Sequence, residues 1–175
     1  KEDIYLNAYC LTDKKMAIFK KHEIDLAHFQ ASLSYPFFYS PFEIDGKYYI
    51  EGASRDTFNF EALLQHEPEV DTVVVVNAIA NDSLLHKPRN LWDSFGQQLI
   101  TPLVALAHAD LKLFALQQAQ SAKPIEVKIV NFDIPEDAQP TMLDWSRSNL
   151  TRLFEIGYAT GKRFAEGEAS VSKAA

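Results

Sequence analysis

The sequence predicts an α/β fold built around a largely parallel central sheet that is flanked by helices. Stretches rich in β-branched and aromatic residues alternate along the chain with stretches of helical periodicity, which is typical of α/β proteins. The run VVVVN at residues 73–77 does not alternate with polar residues. Both faces of that strand are therefore expected to be covered, as in a parallel sheet. A chain of 175 residues has the length of one domain.

The beginning of the chain predicts a hairpin followed by a short helix. Residues 4–11 and 16–20 are rich in strand-forming residues and flank the polar turn at residues 12–15. Asp25 is placed to cap a helix over residues 26–34, because aspartate accepts hydrogen bonds from the first free N–H groups of a helix. Pro36 then ends that helix.

A second hairpin and a second short helix are expected next. Residues 42–44 and 48–50 flank Asp45-Gly46, a strong signal for a two-residue turn. Asn59 is expected to cap a helix that runs through Gln65. The valine-rich strand at 73–77 follows it.

Two long helices and one strand are predicted in the remainder. Residues 90–120 form the longest helical pattern, in which Pro102 is expected to kink or split the helix. Residues 125–131 read as a strand, residues 143–164 as a last helix, and residues 166–175 as a fraying tail. The predicted apolar stripe of the first helix consists of Leu91, Phe95, Leu99, Leu103, Leu106 or Ala107, and Phe114, and that of the last helix of Leu143, Leu150, Phe154, Gly157, Gly161 and Phe164.

Composition excludes several classes of protein. The formal net charge is −7 and no positive charge is clustered, so a nucleic-acid binder is not expected. Cys10 is the only cysteine, which leaves no disulfide within the chain and fits a reducing compartment. Neither a secretory signal nor an unbroken run of about 18 apolar residues is present, so no membrane span is expected. A cytoplasmic or membrane-peripheral location follows as the expectation.

The segment from residue 31 to residue 53 holds two prolines, a hairpin turn and an acid in a fixed order. It reads ASLSYPFFYSP, then Ile44-Asp45-Gly46, then Tyr49-Ile50-Glu51-Gly52-Ala53. This order resembles the patatin-like phospholipases, a family of serine lipid acyl hydrolases, whose pattern is A-S-x-x-x-P-x-x-F-x-P, an I-D-G turn, and Y-V-D-G-G or Y-V-D-G-A. Tyr39 stands where the family has phenylalanine. The likeness covers roughly residues 4–77.

The resemblance implies a three-layer fold and a catalytic dyad of serine and aspartate without histidine. In the family, the serine lies in a G-x-S-x-G turn and a glycine-rich loop forms the oxyanion hole, and the 175 residues contain neither element. The chain thus looks like the C-terminal portion of a single domain whose nucleophile-bearing N-terminal portion is missing. Residues 1–77 would carry the motifs, residues 78–165 the long helices, and residues 166–175 a flexible tail.

Glu51 stands at the position of the family's catalytic aspartate. It is expected to act as the general base in hydrolysis of ester bonds of phospholipids or related acyl lipids. Glutamate is longer than aspartate by one methylene, and a misplacement of about 1 Å can cost on the order of 100-fold in rate. The alternative is therefore a broken dyad in a catalytically inactive lipid- or partner-binding protein of the same fold. A third possibility is a self-contained α/β binding domain whose motif match is accidental.

Other residues near the motif have both functional and structural interpretations. Asp56 is a second acid with a possible role as base, against a turn-forming role or an ion pair with Arg55. Ser32 and Ser34 precede a proline on a helix without a glycine turn, which argues against a nucleophile. The aromatic residues Phe37, Phe38 and Tyr39, flanked by Tyr35 and Phe42, are either core or a surface for acyl chains or a membrane.

No cofactor and no metal are expected. The five histidines lack H-x-x-x-H and H-E-x-x-H spacing. Cys10 lies in a predicted strand and is expected to be a small buried hydrophobe.

Overall fold

The computed structural model describes residues 3–132, 134, 135 and 146–167. These residues contain both helices and strands, as predicted, and the chain divides into two compact units between His66 and Glu67. In chain order the elements are β1 (Tyr5–Cys10), β2 (Lys15–Lys20), α1 (Leu26–Ser32), β3 (Phe42–Ile44), β4 (Lys47–Glu51), a 3-10 turn (Gly52–Ser54), α2 (Phe60–His66), β5 (Thr72–Asn77), a second 3-10 turn (Asp82–Leu84), α3 (Leu91–Ala119), β6 (Glu126–Asn131) and α4 (Arg147–Ala165).

The first unit is built on a four-stranded antiparallel sheet with the strand order β2-β1-β4-β3. The prediction of a mostly parallel sheet is therefore wrong for these strands. The connections explain the difference, because four residues join β1 to β2 and two residues join β3 to β4. Such short connections allow only antiparallel neighbours.

The predicted Asp-Gly turn is confirmed between β3 and β4. Asp45 and Gly46 have φ values of 50° and 75°, which is the left-handed region that a type I′ hairpin turn requires at both positions. The capping of α1 is also confirmed, because the carboxylate of Asp25 accepts hydrogen bonds from the backbone N–H groups of Ala27 and His28.

Helix α1 covers one face of the antiparallel sheet. Ala8, Cys10 and Tyr49 of the sheet form a buried cluster with Ala31 of α1. The burial of Cys10 confirms its prediction as a small core residue. Side chains alternate between the two faces of a strand, so the odd-numbered residues of β1 face the other side. On that side the ring of Tyr5 stacks on His66 of α2 at 5.1 Å between ring centroids.

The second unit contains the parallel pair of strands β5 and β6, joined through α3. The prediction that both faces of residues 73–77 are covered is wrong. Val73, Val75 and Asn77 are buried, whereas Val74 and Val76 are 48% and 62% exposed. An uninterrupted apolar run does not show which of its two faces other elements of the fold cover.

Helix α3 runs unbroken from Leu91 to Ala119 with Pro102 inside it, so the predicted split does not occur. Its buried residues are Gly96, Val104, Ala107 and Phe114. Leu91 and Phe95, which belong to the predicted apolar stripe, are exposed. The buried stripe therefore lies on a neighbouring face of the helix, rotated from the predicted one at its beginning.

By length and composition, α3 is also the one helix among the described residues that is apolar enough to cross a membrane. Only 17% of its most apolar window is buried. No such segment was predicted, because the sequence has no unbroken run of about 18 apolar residues. The helix meets the criterion because most of its polar residues, such as Gln97 and Thr101, are uncharged.

Helix α4 begins at Arg147, where Ser146 accepts a hydrogen bond from the N–H of Asn149. Thr160 is buried, whereas Leu150 and Phe154 of the predicted apolar stripe are exposed. The predicted first residues of this helix, 143–145, lie outside the described residues, as do residues 168–175 of the predicted tail.

Candidate active site

Glu51 is the last residue of β4, opposite Ala8 of β1. Its backbone is held on both sides. The N–H of Glu51 donates to the carbonyl oxygen of Ser34 at 3.1 Å, and the hydroxyl of Ser54 donates to the carbonyl oxygen of Glu51 at 2.8 Å. The segment after α1 and the turn after β4 therefore fix the backbone from which the Glu51 side chain extends.

The carboxylate of Glu51 lies in a partly dehydrated environment. The residue is half-buried, and burial raises the pKa of its carboxyl group above the ordinary value. Burial, and then the negative charge of Glu51, raise the pKa of the Tyr35 hydroxyl. Tyr35 is thus close enough to Glu51 to feel its charge. A more basic carboxylate in a sheltered position is suited to accepting a proton.

Gly52 follows Glu51 at a position where neighbouring side chains would have to shift to admit a Cβ atom. A Cβ atom at this position would lie 2.7 Å from Oδ1 of Asn7 and 2.9 Å from Cε of Met16. Both distances are shorter than real Cβ contacts. The glycine of the Glu-Gly-Ala sequence therefore permits close approach of the turn to β1 and β2.

Ser32 is the last residue of α1 and Ser34 follows shortly after it, and hydrogen bonds hold both hydroxyl groups to this helix. Both are buried, and their hydroxyl groups donate to the carbonyl oxygens of Phe29 at 2.9 Å and Gln30 at 2.7 Å. These bonds satisfy carbonyl groups in the last turn of α1. Neither hydroxyl is arranged as a nucleophile, in agreement with the sequence analysis.

Asp56 has the turn-forming role that the sequence analysis weighed against a role as base. Its Oδ1 accepts a hydrogen bond from the N–H of Asn59 at 2.8 Å. The guanidinium of Arg55 lies over the ring of Tyr9 at 6.0 Å. Asn59 itself has a φ of 54°, which differs from the extended backbone of a normal helix cap. The predicted cap at Asn59 is therefore replaced by the carboxylate of Asp56 bonded to its N–H.

The aromatic segment after α1 is largely on the surface. Phe37 and Tyr39 are 78% and 64% exposed, and Phe38 lies near the limit between exposed and half-buried. Phe42 instead packs against the core of the first unit. Tyr35 stacks on Phe38 at 5.8 Å between centroids, which joins this segment to the surroundings of Glu51. The core interpretation therefore applies to Phe42, and the three site candidates remain exposed.

The backbone of this segment is unusual at one position. Phe37 has a φ of 76°, a left-handed conformation that bulky side chains rarely adopt. Such conformations cost of order 1–3 kcal/mol and concentrate at functional sites.

A second cluster, in the other unit, has the residue types of a serine triad but not its arrangement. Nε2 of His86 lies 3.1 Å from Oδ1 of Asp93, and Nδ1 of His86 lies 3.3 Å from Nε2 of Gln97. Both ring nitrogens are occupied, so His86 has no nitrogen left to activate a serine. Hydrogen bonds from Arg89 hold the pKa of Asp93 well below its usual range. The cluster anchors the first turn of α3.

Tyr35 was considered in the sequence only as a member of the aromatic segment, and Asn7 was not singled out, although it is the polar residue inside an otherwise apolar strand. Tyr35 follows Ser34, whose carbonyl oxygen accepts a hydrogen bond from the N–H of Glu51, and Asn7 comes close to Gly52 through the pairing of β1 with β4. The sequence does not specify either contact. Among the described residues, no three His, Cys, Asp or Glu side chains are grouped so that they could hold a metal ion.

No model of a protein family matches the chain, and no curated protein matches it either.

Proposed function

We propose that this chain carries the general base of a patatin-like lipid acyl hydrolase, and that Glu51 is that base. The observation that supports the proposal is the position of Glu51: a half-buried carboxylate with a raised pKa, at the end of a strand and directly before a glycine that packs closely against Asn7 and Met16. The 175 residues have no G-x-S-x-G motif, so the serine would come from a segment outside them.

In the proposed reaction the carboxylate of Glu51 accepts the proton of the serine hydroxyl while the serine oxygen attacks the carbonyl carbon of the ester. The resulting carboxylic acid returns this proton to the departing alkoxide, which leaves an acyl-enzyme. Water then attacks the acyl carbon while the same carboxylate accepts its proton, and Glu51 passes this proton to the serine oxygen as the fatty acid is released. The raised pKa of Glu51 favours both transfers, because a base is most effective when its pKa approaches the working pH.

The exposed aromatic residues Phe37, Phe38 and Tyr39 are proposed to bind the acyl chain or to contact the lipid surface. Tyr35 links them to Glu51, since it stacks on Phe38 and senses the charge of Glu51. The left-handed backbone at Phe37 supports a functional role, because strained conformations concentrate at functional sites.

The nucleophile-bearing segment is proposed to complete a three-layer fold on the second unit. Strands β5 and β6 form a sheet of only two strands within the described residues. One face of that sheet exposes Val74 and Val76. Two strands alone are marginally stable, and uncovered apolar faces invite a partner.

The test compares Glu51 variants in a protein that joins this chain to the polypeptide encoded before it. Hydrolysis of p-nitrophenyl butyrate is measured at pH 7 to 8. Glu51→Gln keeps the size of the side chain but cannot accept the proton, and kcat is expected to fall by about 100-fold or more. Glu51→Asp restores the acid of the family and is expected to retain activity. Glu43→Gln, which removes an exposed carboxylate from β3, is the control.

Full activity of the Glu51→Gln protein would contradict the assignment of the base. If the joined protein shows no hydrolysis with Glu51 or with aspartate at this position, the inactive lipid- or partner-binding alternative is favoured. Binding to phospholipid vesicles without hydrolysis would then support that alternative.

A further inference from the structure

The segment before α3 and the first two turns of that helix present an apolar surface to solvent. All six residues from Lys87 to Trp92 are exposed, and so is Phe95. Leu91 and Trp92 are 87% and 75% exposed, and the ring of Trp92 lies edge-on to that of Phe95 at 6.3 Å between ring centroids. Three large apolar side chains exposed together form the kind of patch that marks an interaction site.

The exposed charges on this surface are positive. Lys87 and Arg89 are exposed, whereas the carboxylate of Asp93 is turned inward, with 6% of its side chain exposed, and accepts hydrogen bonds from Arg89. Asp93 is the only acid from residue 83 to residue 109, in a chain with 24 acidic residues. Asp82, the acid just before that range, lies beside His108, about 25 Å further along α3 than its first turn. This surface is therefore suited to a negatively charged partner, although the whole chain is acidic.

An anionic phospholipid bilayer matches both properties of the surface. Tryptophan is enriched at the level of the lipid headgroups, leucine and phenylalanine insert below them, and basic side chains meet the phosphate groups. Helix α3 is also apolar enough to enter lipid, and only 17% of its most apolar window is buried. Its buried residues, Gly96, Val104, Ala107 and Phe114, keep one face of the helix within the second unit. The arrangement therefore favours contact with the bilayer surface over a helix that crosses it.

We propose that Leu91, Trp92 and Phe95 insert into the interface of a bilayer that contains anionic phospholipids, with Lys87 and Arg89 at the phosphate groups. This contact anchors the second unit to the membrane. It uses no residue of the first unit, so binding to the bilayer does not depend on the proposed hydrolysis.

The test measures binding of the 175-residue chain to vesicles of phosphatidylcholine, with and without phosphatidylserine. Sedimentation with the vesicles gives the affinity of the original chain and of each variant. Vesicles that contain phosphatidylserine are expected to bind about tenfold more tightly, because each basic residue near an anionic surface adds attraction.

The fluorescence of Trp92 locates the contact. Trp145→Phe leaves Trp92 as the only tryptophan of the chain. Its emission is expected to shift to shorter wavelength on binding and to be quenched by lipids that are brominated near their headgroups, because tryptophan prefers that level of the bilayer.

Leu91→Ser tests the apolar part of the surface. It is expected to weaken binding to both kinds of vesicle about tenfold, since an inserted leucine is removed from water. Leu116→Ser is the matched control, because Leu116 is also exposed on α3 but lies near the other end of the helix. It is expected to bind as the original chain does. Both leucines are on the surface, so both variants are expected to keep the fold.

Lys87→Gln tests the basic part. It is expected to weaken binding to the vesicles with phosphatidylserine about fivefold and to leave binding to phosphatidylcholine alone unchanged. Lys112→Gln makes the same change in net charge at an exposed lysine further along α3 and is expected to have no effect.

Failure of the original chain to bind either kind of vesicle would overturn the proposal, as would equal effects of the two variants in either pair. A shift of the Trp92 emission that depends on protein concentration and needs no vesicles would assign the surface to a second copy of the chain and also overturn it. The hydrolysis test uses an ester that needs no vesicles, and the vesicle test measures binding alone. Failure of one is therefore distinguishable from failure of the other.

Discussion

Because Gly52 has no side chain, the turn that follows Glu51 lies close against the sheet. The nearest atoms to a Cβ there belong to the ends of the Asn7 and Met16 side chains. Such ends rotate away more easily than backbone, so the steric cost is moderate. The residue matters because it sets the direction in which the chain leaves β4.

Gly52→Ala is expected to lower the free energy of unfolding by about 1 kcal/mol, the lower end of the range for inserting a methyl group into a packed site. Gly161→Ala is the control, because no atom lies within 4 Å of a Cβ there and the residue is inside α4. That change is expected to stabilise by about 0.5–1 kcal/mol. Urea denaturation measures both, and equal effects would contradict the close contact at Gly52.

Glu51 makes stability depend on pH in a direction that follows from its burial. Burial raises the pKa of the Glu51 carboxyl group in the folded state. The stability that the neutral carboxyl group contributes is therefore complete below the ordinary carboxyl pKa, and it is lost as the pH rises through the pKa of the folded state. Glu51→Gln is therefore expected to be more stable than the original chain at pH 7, with a smaller difference at pH 4.

Thermal unfolding at several pH values measures this difference, and Glu43→Gln controls for the change in net charge. A gain for Glu51→Gln that grows as the pH falls would contradict the assignment of a raised pKa. If Glu51→Gln is more stable at pH 7 and also loses hydrolysis, the ionised carboxylate of Glu51 lowers stability but is needed for activity.

At the scale of elements, strand β5 contains both buried and exposed valine residues. Val75 is buried, whereas Val74 on the opposite face is about half exposed. The sequence VVVV does not distinguish them, and only the position of the neighbouring elements does.

Val75→Thr is expected to lower the free energy of unfolding by about 1–3 kcal/mol, because it buries a hydroxyl group among apolar atoms. Val74→Thr, the same change one residue earlier, is expected to stay within about 0.5 kcal/mol of the original chain. Chemical denaturation measures both variants. Equal losses would mean that Val74 is covered in solution, as the sequence analysis had predicted.

Helix α3 illustrates a second limit of prediction at this scale. Its length and its proline were visible in the sequence, but an exposed Pro102 is accommodated without ending the helix. The hydroxyl of Thr101 donates to the carbonyl oxygen of Gln97 at 2.7 Å in the turn beside it. Of the two outcomes predicted for Pro102, a kink or a split, the split does not occur.

At the scale of the whole molecule, exposed apolar side chains and net charge act against each other. Val76, Trp92 and Phe154 are all more than 60% exposed. The charge of −7 at pH 7 keeps copies of the chain apart, and the isoelectric point near 5.2 marks where this repulsion disappears.

Association of the chain is therefore expected to be strongest near pH 5 and to weaken toward pH 8. Replacing both Val74 and Val76 with threonine is expected to reduce association at pH 5, since it removes one of the apolar faces. Light scattering measures this. Association that is independent of pH and unchanged in the double variant would contradict the role assigned to charge and to this face.

By itself, the sequence determined the local features: the strands and helices of the first unit, the Asp45-Gly46 turn, the cap at Asp25, and Glu51 as the acid of the Glu-Gly-Ala sequence. These depend on neighbours in the chain, whose preferences are readable from residue types. The antiparallel pairing that brings Asn7 to Gly52, the exposure of Val74 and Phe37, and the nearness of Tyr35 to Glu51 were decided by the tertiary structure. They depend on contacts between distant segments, and burial by such contacts is what raises the pKa of Glu51.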